Sequence, residues 1–509
     1  MSRFRRALHS LASGYLLLGA TILSVFASVP LALHYLSKNE FGLWALVTQV
    51  SGYLLLIDLG MSGSISRILI DHKDDPAGGI YGAIIKTGVL VLGVQGIIIA
   101  VAGALASIWL PDLFLVPAIY RREFQILIAL QCIITGTFLF ARISTHLLQA
   151  HQRYDIMNYS QILGLVVNFA VMWLGFCRGW GLYSILVASA AANLFGTVTL
   201  SWAVMRLKLL PPAGSWGRAN WKTFHDLFSY GREIFLLTVG WQLVNASQVM
   251  VISRTLGLDA AAVWSIATKP FMMAQQVVNN LFNFSFSALA EMMVRKERDR
   301  LLTRFRDLLV ISASLSMFAG MAVGLCNQSF MALWTKGLVS WNSSNDWLMS
   351  LLVIVYSISR CYIGLIGTTK DIRALKYVYP LEGALFVGLS VMAAPRWGIA
   401  GIIVCAISTN FLLSGLYGFS RTREYFQIKE TKEMLAWLKG PVLCLVVLAL
   451  VFLPLQWVGR NWGAATSMCI NVLVVVPAGL GTIWWIGLTP QLRSEAAGFL
   501  KQVRNRLGF

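Results

Sequence analysis

Apolar residues come along this chain in long runs, and short polar or charged clusters separate them. A helix that spans a bilayer needs about 20 predominantly apolar residues. Read against their punctuation, the runs predict fourteen spans, at residues 11–36, 41–69, 79–110, 124–150, 157–177, 180–205, 228–254, 260–289, 306–334, 347–369, 377–394, 397–419, 440–458 and 463–488. Two of these, 157–177 and 377–394, are short, and 41–69 and 260–289 are comparatively polar. The longest connections, 206–227, 290–305 and 420–439, are basic and lie close to the membrane, so no extramembrane domain is expected. The pattern predicts an all-α polytopic protein that works inside the bilayer.

Charge gives an independent test of that layout, because retained cytoplasmic loops collect Lys and Arg. When segments alternate from the N-terminus, 27 of the 41 cations fall on the side holding both termini and 8 on the other. Six lie within spans, Arg254 and Arg306 at span limits being counted with the adjoining loops: Arg67, Lys86, Arg142, Arg232, Lys269 and Arg360. Both termini are therefore expected in the cytoplasm. Arg3, Arg5 and Arg6 before an apolar run imitate a signal peptide, but the run is too long for a signal core and reads as an uncleaved first helix.

Composition narrows the class further. Apolar residues make up 57% of 509 and charged residues 12%, whereas soluble domains carry about 25% charged residues. A soluble enzyme, a nucleic-acid module and a disordered scaffold are excluded. On a soluble protein the net charge of +19 would suggest nucleic acid; here basic loops account for it, and no nucleic-acid partner is expected. Seven cysteines (Cys132, Cys177, Cys326, Cys361, Cys405, Cys444 and Cys469) are scattered without a Cys-x-x-Cys pair and read as packing residues, with neither a zinc site nor a disulfide framework. The chain contains no Gly-Lys dipeptide and so no Walker A loop, and it lacks His-Glu-x-x-His, Gly-x-Ser-x-Gly and Gly-x-Gly-x-x-Gly. No cofactor or metal is expected. Gly320-Met-Ala-Val-Gly324 reads as a helix-packing contact.

An internal repeat is visible. Trp180-Gly181-Leu182 and Trp397-Gly398-Ile399 stand 217 positions apart, and the same offset aligns Ile185 with Ile402, Val187 with Val404 and Asn193 with Asn410. Leu36 to Trp44 resembles Leu256 to Trp264 at an offset of 220. The chain divides accordingly into a six-helix lobe (1–205), a basic linker (206–227), a second six-helix lobe (228–419), a basic loop (420–439), two extra helices (440–488) and a basic tail (489–509). Paired halves related along the membrane normal are a transporter design.

Three segments carry a resemblance to a known family. Ser37-Lys38-Asn39-Glu40-Phe41-Gly42-Leu43-Trp44 joins the first two spans, Asp58-Leu59-Gly60-Met61-Ser62 followed by Arg67 lies in the second, and Leu147-Leu148-Gln149-Ala150-His151-Gln152-Arg153-Tyr154 ends the fourth. These resemble the polysaccharide flippases, O-antigen type, of the multidrug/oligosaccharidyl-lipid/polysaccharide exporter superfamily. The resemblance implies a MATE-like fold, two six-helix lobes forming a V around a cavity lined by spans 1, 2, 7 and 8. It also implies a bacterial inner-membrane location and transfer of polyprenyl-diphosphate-linked oligosaccharide to the outer leaflet. Membrane lipid and the glycosyltransferases and polymerase of the same pathway are the implied partners.

Polar residues within the spans fit a wet interior. Span 8 places Lys269, Gln276, Asn280 and Asn283 on one helical face, bordered by Gln275 and Asn279. Span 7 places Thr238, Gln242, Asn245 and Gln248 at steps of 4, 3 and 3, and span 2 carries Thr48, Ser51, Asp58 and Ser62. Such stripes avoid lipid, although interhelical hydrogen bonds would also explain single members. Each ionisable residue at mid-bilayer costs roughly 2.5–3.5 kcal/mol, so Lys269, Arg360, Lys86, Arg142 and Arg67 are candidate ligands for a diphosphate. Asp58 and Glu382 are the candidate coupling-ion or ion-pair residues, and a structural ion pair or snorkelling is the alternative for the cations. His146 and His151 read as solvated or hydrogen-bonded side chains. By depth, Lys86 and Arg142 lie towards the cytoplasm, Arg360 near the middle and Lys269 towards the outside.

The expected function is that of a flippase, not an enzyme. A cation-coupled drug antiporter on the same fold needs buried carboxylates, of which this chain offers Asp58 and Glu382. A membrane polymerase or acyltransferase needs a large external loop or an intramembrane catalytic histidine, and neither is evident.

Overall fold

The computed structural model describes residues 3–369, 374–459, 462–495 and 497–498. Residues 496 and 499–509 of the expected basic tail lie outside that set. Contacts divide the chain into two compact units, 1–262 and 263–509.

The first unit holds α1 (Arg3–Tyr35), α2 (Lys38–Leu54), α3 (Met61–His72), α4 (Ile80–Leu113), α5 (Ala118–Leu139), α6 (Ile143–Ala150), α7 (Tyr154–Cys177), α8 (Tyr183–Arg206) and α9 (Trp221–Leu256). The unit boundary falls within α10 (Leu258–Ala267). The second unit continues with α11 (Lys269–Val294), α12 (Arg298–Trp334), α13 (Ser343–Thr369), α14 (Leu375–Asn410), α15 (Leu416–Phe426), α16 (Thr431–Ala436), α17 (Lys439–Val458) and α18 (Ala464–Thr482).

Among the described residues, twelve helical stretches are long and apolar enough to cross a bilayer. One of them, the 52-residue stretch Leu375–Phe426, contains two expected spans. They part at Gly398, whose φ of 58° and ψ of −144° are not helical. The polar stripe of α11 keeps that helix outside the twelve.

The motifs behind the resemblance have local physical causes. Ser37 opens α2 with a capping box: the Glu40 amide donates to Ser37 Oγ at 3.2 Å, and the Ser37 amide donates to Glu40 Oε2 at 2.7 Å. Two residues later Gly42 meets the start of α10, where an added Cβ would run into the Leu258 carbonyl. Further along, span 2 breaks. A short 3₁₀ turn over Leu55–Asp58 is followed by Leu59 and Gly60 in the left-handed region, at φ 50° and 74°. A side chain at Gly60 would collide with the Gly231 backbone of α9, so close approach and backbone conformation both require glycine there.

The glycines of the two Trp-Gly pairs both take a positive φ. Gly181 and Gly398, 217 positions apart, have φ of 54° and 58°. The two extra helices belong to the second unit: Cys444, Leu448 and Phe452 of α17 and Val475 of α18 pack on Met321 and Leu325 of α12. Gly320 and Gly324 lie against α13, where Ser350 Oγ donates to the Gly320 carbonyl at 2.7 Å, so this Gly-x-x-x-Gly is a packing contact.

Candidate functional site

The first unit encloses a cavity of about 520 Å³ between α1, α5, α6, α7 and α8. Helical spacing builds its polar wall. Gln161 and Asn168 stand seven residues apart on α7, and Asn193 and Thr197 four apart on α8, so each pair shares a face. Thr21 of α1 and Thr135 of α5 extend the wall. At Phe140–Arg142 a 3₁₀ turn joins α5 to α6 and sets Arg142 at the cavity. Its side chain is exposed, and among the described residues no hydrogen bond or ion pair holds the guanidinium. Among the described residues the lining contains no Asp or Glu. The arrangement offers a fork of donors to an anion, and amides and hydroxyls to a polyol.

The break in span 2 occupies the same unit. Asp58 accepts from Ser62 Oγ at 2.7 Å and from the Ser62 amide at 3.3 Å, which ties the turn to the start of α3. Gln95 Nε2 of α4 donates to the Asp58 carbonyl at 3.0 Å. His146 is buried and hydrogen-bonded, with Nδ1 2.8 Å from Ser66 Oγ, which itself donates to Gln149 Oε1 at 2.8 Å. His151 Nδ1 lies 2.9 Å from the Leu147 carbonyl of its own helix.

The other candidate cations have varied settings. Lys86 donates to the Gly217 carbonyl at 3.0 Å and lies 5.8 Å from the Trp216 ring centre, so it ties α4 to the linker. Arg67 pairs with Asp71 at 3.1 Å on the exposed face of α3. Arg232 is exposed on α9. Lys269 begins α11, half-buried, and among the described residues its ammonium has no hydrogen bond or ion pair. Arg360 of α13 is exposed and donates to Asn283 Oδ1 at 3.2 Å, and Asn283 donates to Asn280 Oδ1 at 3.5 Å. Arg360, Asn283 and Asn280 thus form one polar chain, with Gln276 exposed two turns before Asn283. Lys269 precedes Asn283 by about 21 Å of helix at 1.5 Å per residue.

Several stripe residues are satisfied locally. Asn245 donates to the Trp241 carbonyl at 2.9 Å, Thr48 to Trp44 at 2.9 Å and Ser51 to Val47 at 2.8 Å, all within their own helices. Gln242 accepts at its backbone carbonyl from Tyr53 of α2 at 3.3 Å. Glu382 is buried and accepts from Asn410 Nδ2 at 2.9 Å and from Ser414 Oγ. Among the described residues neither Asp58 nor Glu382 has an ion-pair partner.

Sequence reading missed the wall of the cavity and one buried acid. The seven-residue spacing of Gln161 and Asn168 was the available signal for the former. Asp346, just before the expected limit of span 10, is fully buried and accepts from Asn327 Nδ2 and Trp341 Nε1, both at 2.7 Å.

Comparison with solved structures defines the class. Lipid II flippase MurJ in an inward closed conformation matches with a TM-score of 0.70 and 12% identity, over 94% of this chain and 98% of that one. An inward-facing multidrug resistance MATE family transporter of the MOP superfamily matches at 0.64 and 10% identity, over 81% and 96%. A MOP superfamily transporter from Pyrococcus furiosus, described by a binding pocket of reverse polarity, matches at 0.50 and 12% identity, over 84% and 95%. The chain is therefore a multi-pass membrane protein with the fold of the MurJ and MATE transporters. No curated protein matches it in sequence. A family model described as polysaccharide biosynthesis protein matches residues 11–293, more than half of the chain, and the chain belongs to that family.

Proposed function

We propose that this protein is a flippase, not an enzyme, which moves a polyprenyl-diphosphate-linked oligosaccharide from the cytoplasmic to the outer leaflet of the bacterial inner membrane. One observation carries the reading: among the described residues Arg142 has no partner, and no described carboxylate lines the polar cavity in which it stands. A cation without a counter-charge is costly inside a bilayer, so its setting favours an anionic ligand. The diphosphate supplies that anion, and the Asn, Gln and Thr wall supplies hydrogen bonds for sugar hydroxyls. Arg360 and Lys269 offer two further cations, whereas Lys86 and Arg67 are engaged by the linker and by Asp71.

A cation-coupled drug antiporter on this fold would need a carboxylate in this cavity, and the lining has none. Reverse pocket polarity is likewise the feature from which a different function was suggested for the Pyrococcus furiosus transporter. Both termini sit in the cytoplasm in this reading, fourteen spans cross the membrane, and transport proceeds by rocking of 1–205 against 228–419. Asp58 and Glu382 take structural roles unless a coupling ion displaces their hydroxyl and amide donors. Loss of the protein should leave no glycan on the cell surface, whereas loss of a polymerase leaves single repeat units there. Surface glycan of normal amount in its absence would overturn the proposal.

A further inference from the structure

A second concave surface of the first unit is unlike the cavity. It is a groove of about 540 Å³ between α4, the break in span 2 and the first turns of α9. Leu90, Val94 and Ile98 form one wall, each more than two-fifths exposed. Opposite stand Trp221, Phe224 and Phe228, whose successive rings stack at 4.8 and 6.1 Å between centres. The wall from Thr87 to Ile98 rises about 16 Å at 1.5 Å per residue, roughly half of the ~30 Å hydrocarbon core. That length is about the thickness of one leaflet.

Its two ends differ in charge. At one end α9 begins at Asn220, whose side chain caps the helix by accepting from the Thr223 amide at 2.7 Å. The positive end of the α9 dipole therefore opens there. Lys86, one turn before Leu90, points at the same linker, and Arg218 and Lys222 flank it, exposed. The far end is lined by the apolar side chains of Ile57 and Leu59, and the Asp58 carboxylate between them, outside the lining, accepts from Ser62. Two buried polar atoms along the groove have no partner among the described residues: Thr87 Oγ1 near the charged end and Gln95 Oε1 near the break. Thr87 is 4% exposed and Gln95 6%.

We propose that this groove seats the headgroup-proximal stretch of the carrier's polyprenyl chain, with its diphosphate held first at the Lys86 end, where the Gly217 carbonyl leaves the lysine's charge uncompensated, and passed afterwards to Arg142. The proposal rests on the flippase reading for the identity of the lipid. A single groove with an anion-attracting mouth suits one chain under one diphosphate, whereas a phospholipid brings two chains. Gln95 also ties the groove to the break in span 2, since the same side chain donates to the Asp58 carbonyl there.

The full-length protein is reconstituted in vesicles of phosphatidylethanolamine and phosphatidylglycerol containing a polyprenyl diphosphate. p-Benzoylphenylalanine is placed singly at Leu90 or Ile98, and at Leu105 or Ile108, which are exposed farther along α4 and outside the groove. After irradiation, mass spectrometry reads the ratio of polyprenyl to phospholipid adducts. The expected result is a ratio at Leu90 and Ile98 at least about tenfold above that at Leu105 and Ile108, falling to the latter level when Val94→Trp fills the groove. Equal ratios at all four positions, or phospholipid adducts dominating at Leu90, overturn the groove assignment while lipid transport by the wild type continues. A wild type that does not move the lipid-linked oligosaccharide overturns the flippase reading, and this assignment with it.

Discussion

Arg142 is the residue whose removal the account predicts most sharply. Its side chain is exposed to the cavity and partnered by none of the described residues, so truncation to Ala leaves no buried group unsatisfied. Stability should change by no more than about 0.5 kcal/mol. Ligand binding should suffer far more. A hydrogen bond to a charged group contributes roughly 1.5–3 kcal/mol, and each 1.4 kcal/mol is about tenfold in affinity. Arg142→Ala should therefore weaken binding of a polyprenyl-diphosphate disaccharide by about 10- to 100-fold. Arg142→Lys keeps the charge but loses the planar fork, and its loss should fall between those of the wild type and Ala. Asn168→Ala removes a neutral hydrogen bond of roughly 0.5–1.5 kcal/mol and should cost about 2- to 10-fold. Binding is followed by tryptophan fluorescence in nanodiscs, with membrane abundance measured alongside. Wild-type affinity in Arg142→Ala would refute the reasoning, as would a loss of affinity that merely tracks a loss of protein.

Other substitutions separate structural from functional roles. Gly42→Val pushes a side chain into the Leu258 carbonyl; overpacking costs about 1–3 kcal/mol, and a lowered melting temperature in detergent is expected. Glu382→Ala strands the Asn410 and Ser414 donors, at roughly 1–3 kcal/mol, whereas Glu382→Gln retains an acceptor and should melt closer to the wild type. Arg67→Ala removes a half-exposed ion pair with Asp71 worth about 0.3–0.5 kcal/mol, so surface glycan should stay at wild-type level. Reporter fusions between Lys336 and Asn345 and after Arg421 should report outside and inside respectively; the same side for both would contradict the proposed topology.

Much of the fold was legible because each span must satisfy its own backbone and meets lipid with apolar side chains. The pairing of Gly181 with Gly398 was legible too, and both take a positive φ, which favours glycine. The break in span 2 was not. Residues 41–69 read as one span, and hydropathy does not register a left-handed turn at Leu59–Gly60. Polar stripes gave a mixed outcome for a related reason. Ser, Thr and Asn can bond their own helix carbonyls, as Thr48, Ser51 and Asn245 do, so a stripe does not require water. The cavity around Arg142 draws one to three polar residues from each of several helices, and no single helix displays it. Arg142 was identified because charge within a span is costly; its unpartnered state depends on tertiary packing.

The central claim is transbilayer movement of a lipid-linked oligosaccharide, and purified protein in vesicles tests it most directly. A fluorescent polyprenyl-diphosphate oligosaccharide is incorporated in both leaflets, and the fraction accessible to a membrane-impermeant quencher is followed in time. With wild-type protein the account predicts that quenching goes beyond the outer-leaflet half towards completion, that Arg142→Ala slows it at least about tenfold, and that protein-free vesicles stop near half. Quenching that stops near half with the wild-type protein, together with export of an organic cation such as ethidium by the same vesicles, would contradict the account and favour a drug transporter on this fold.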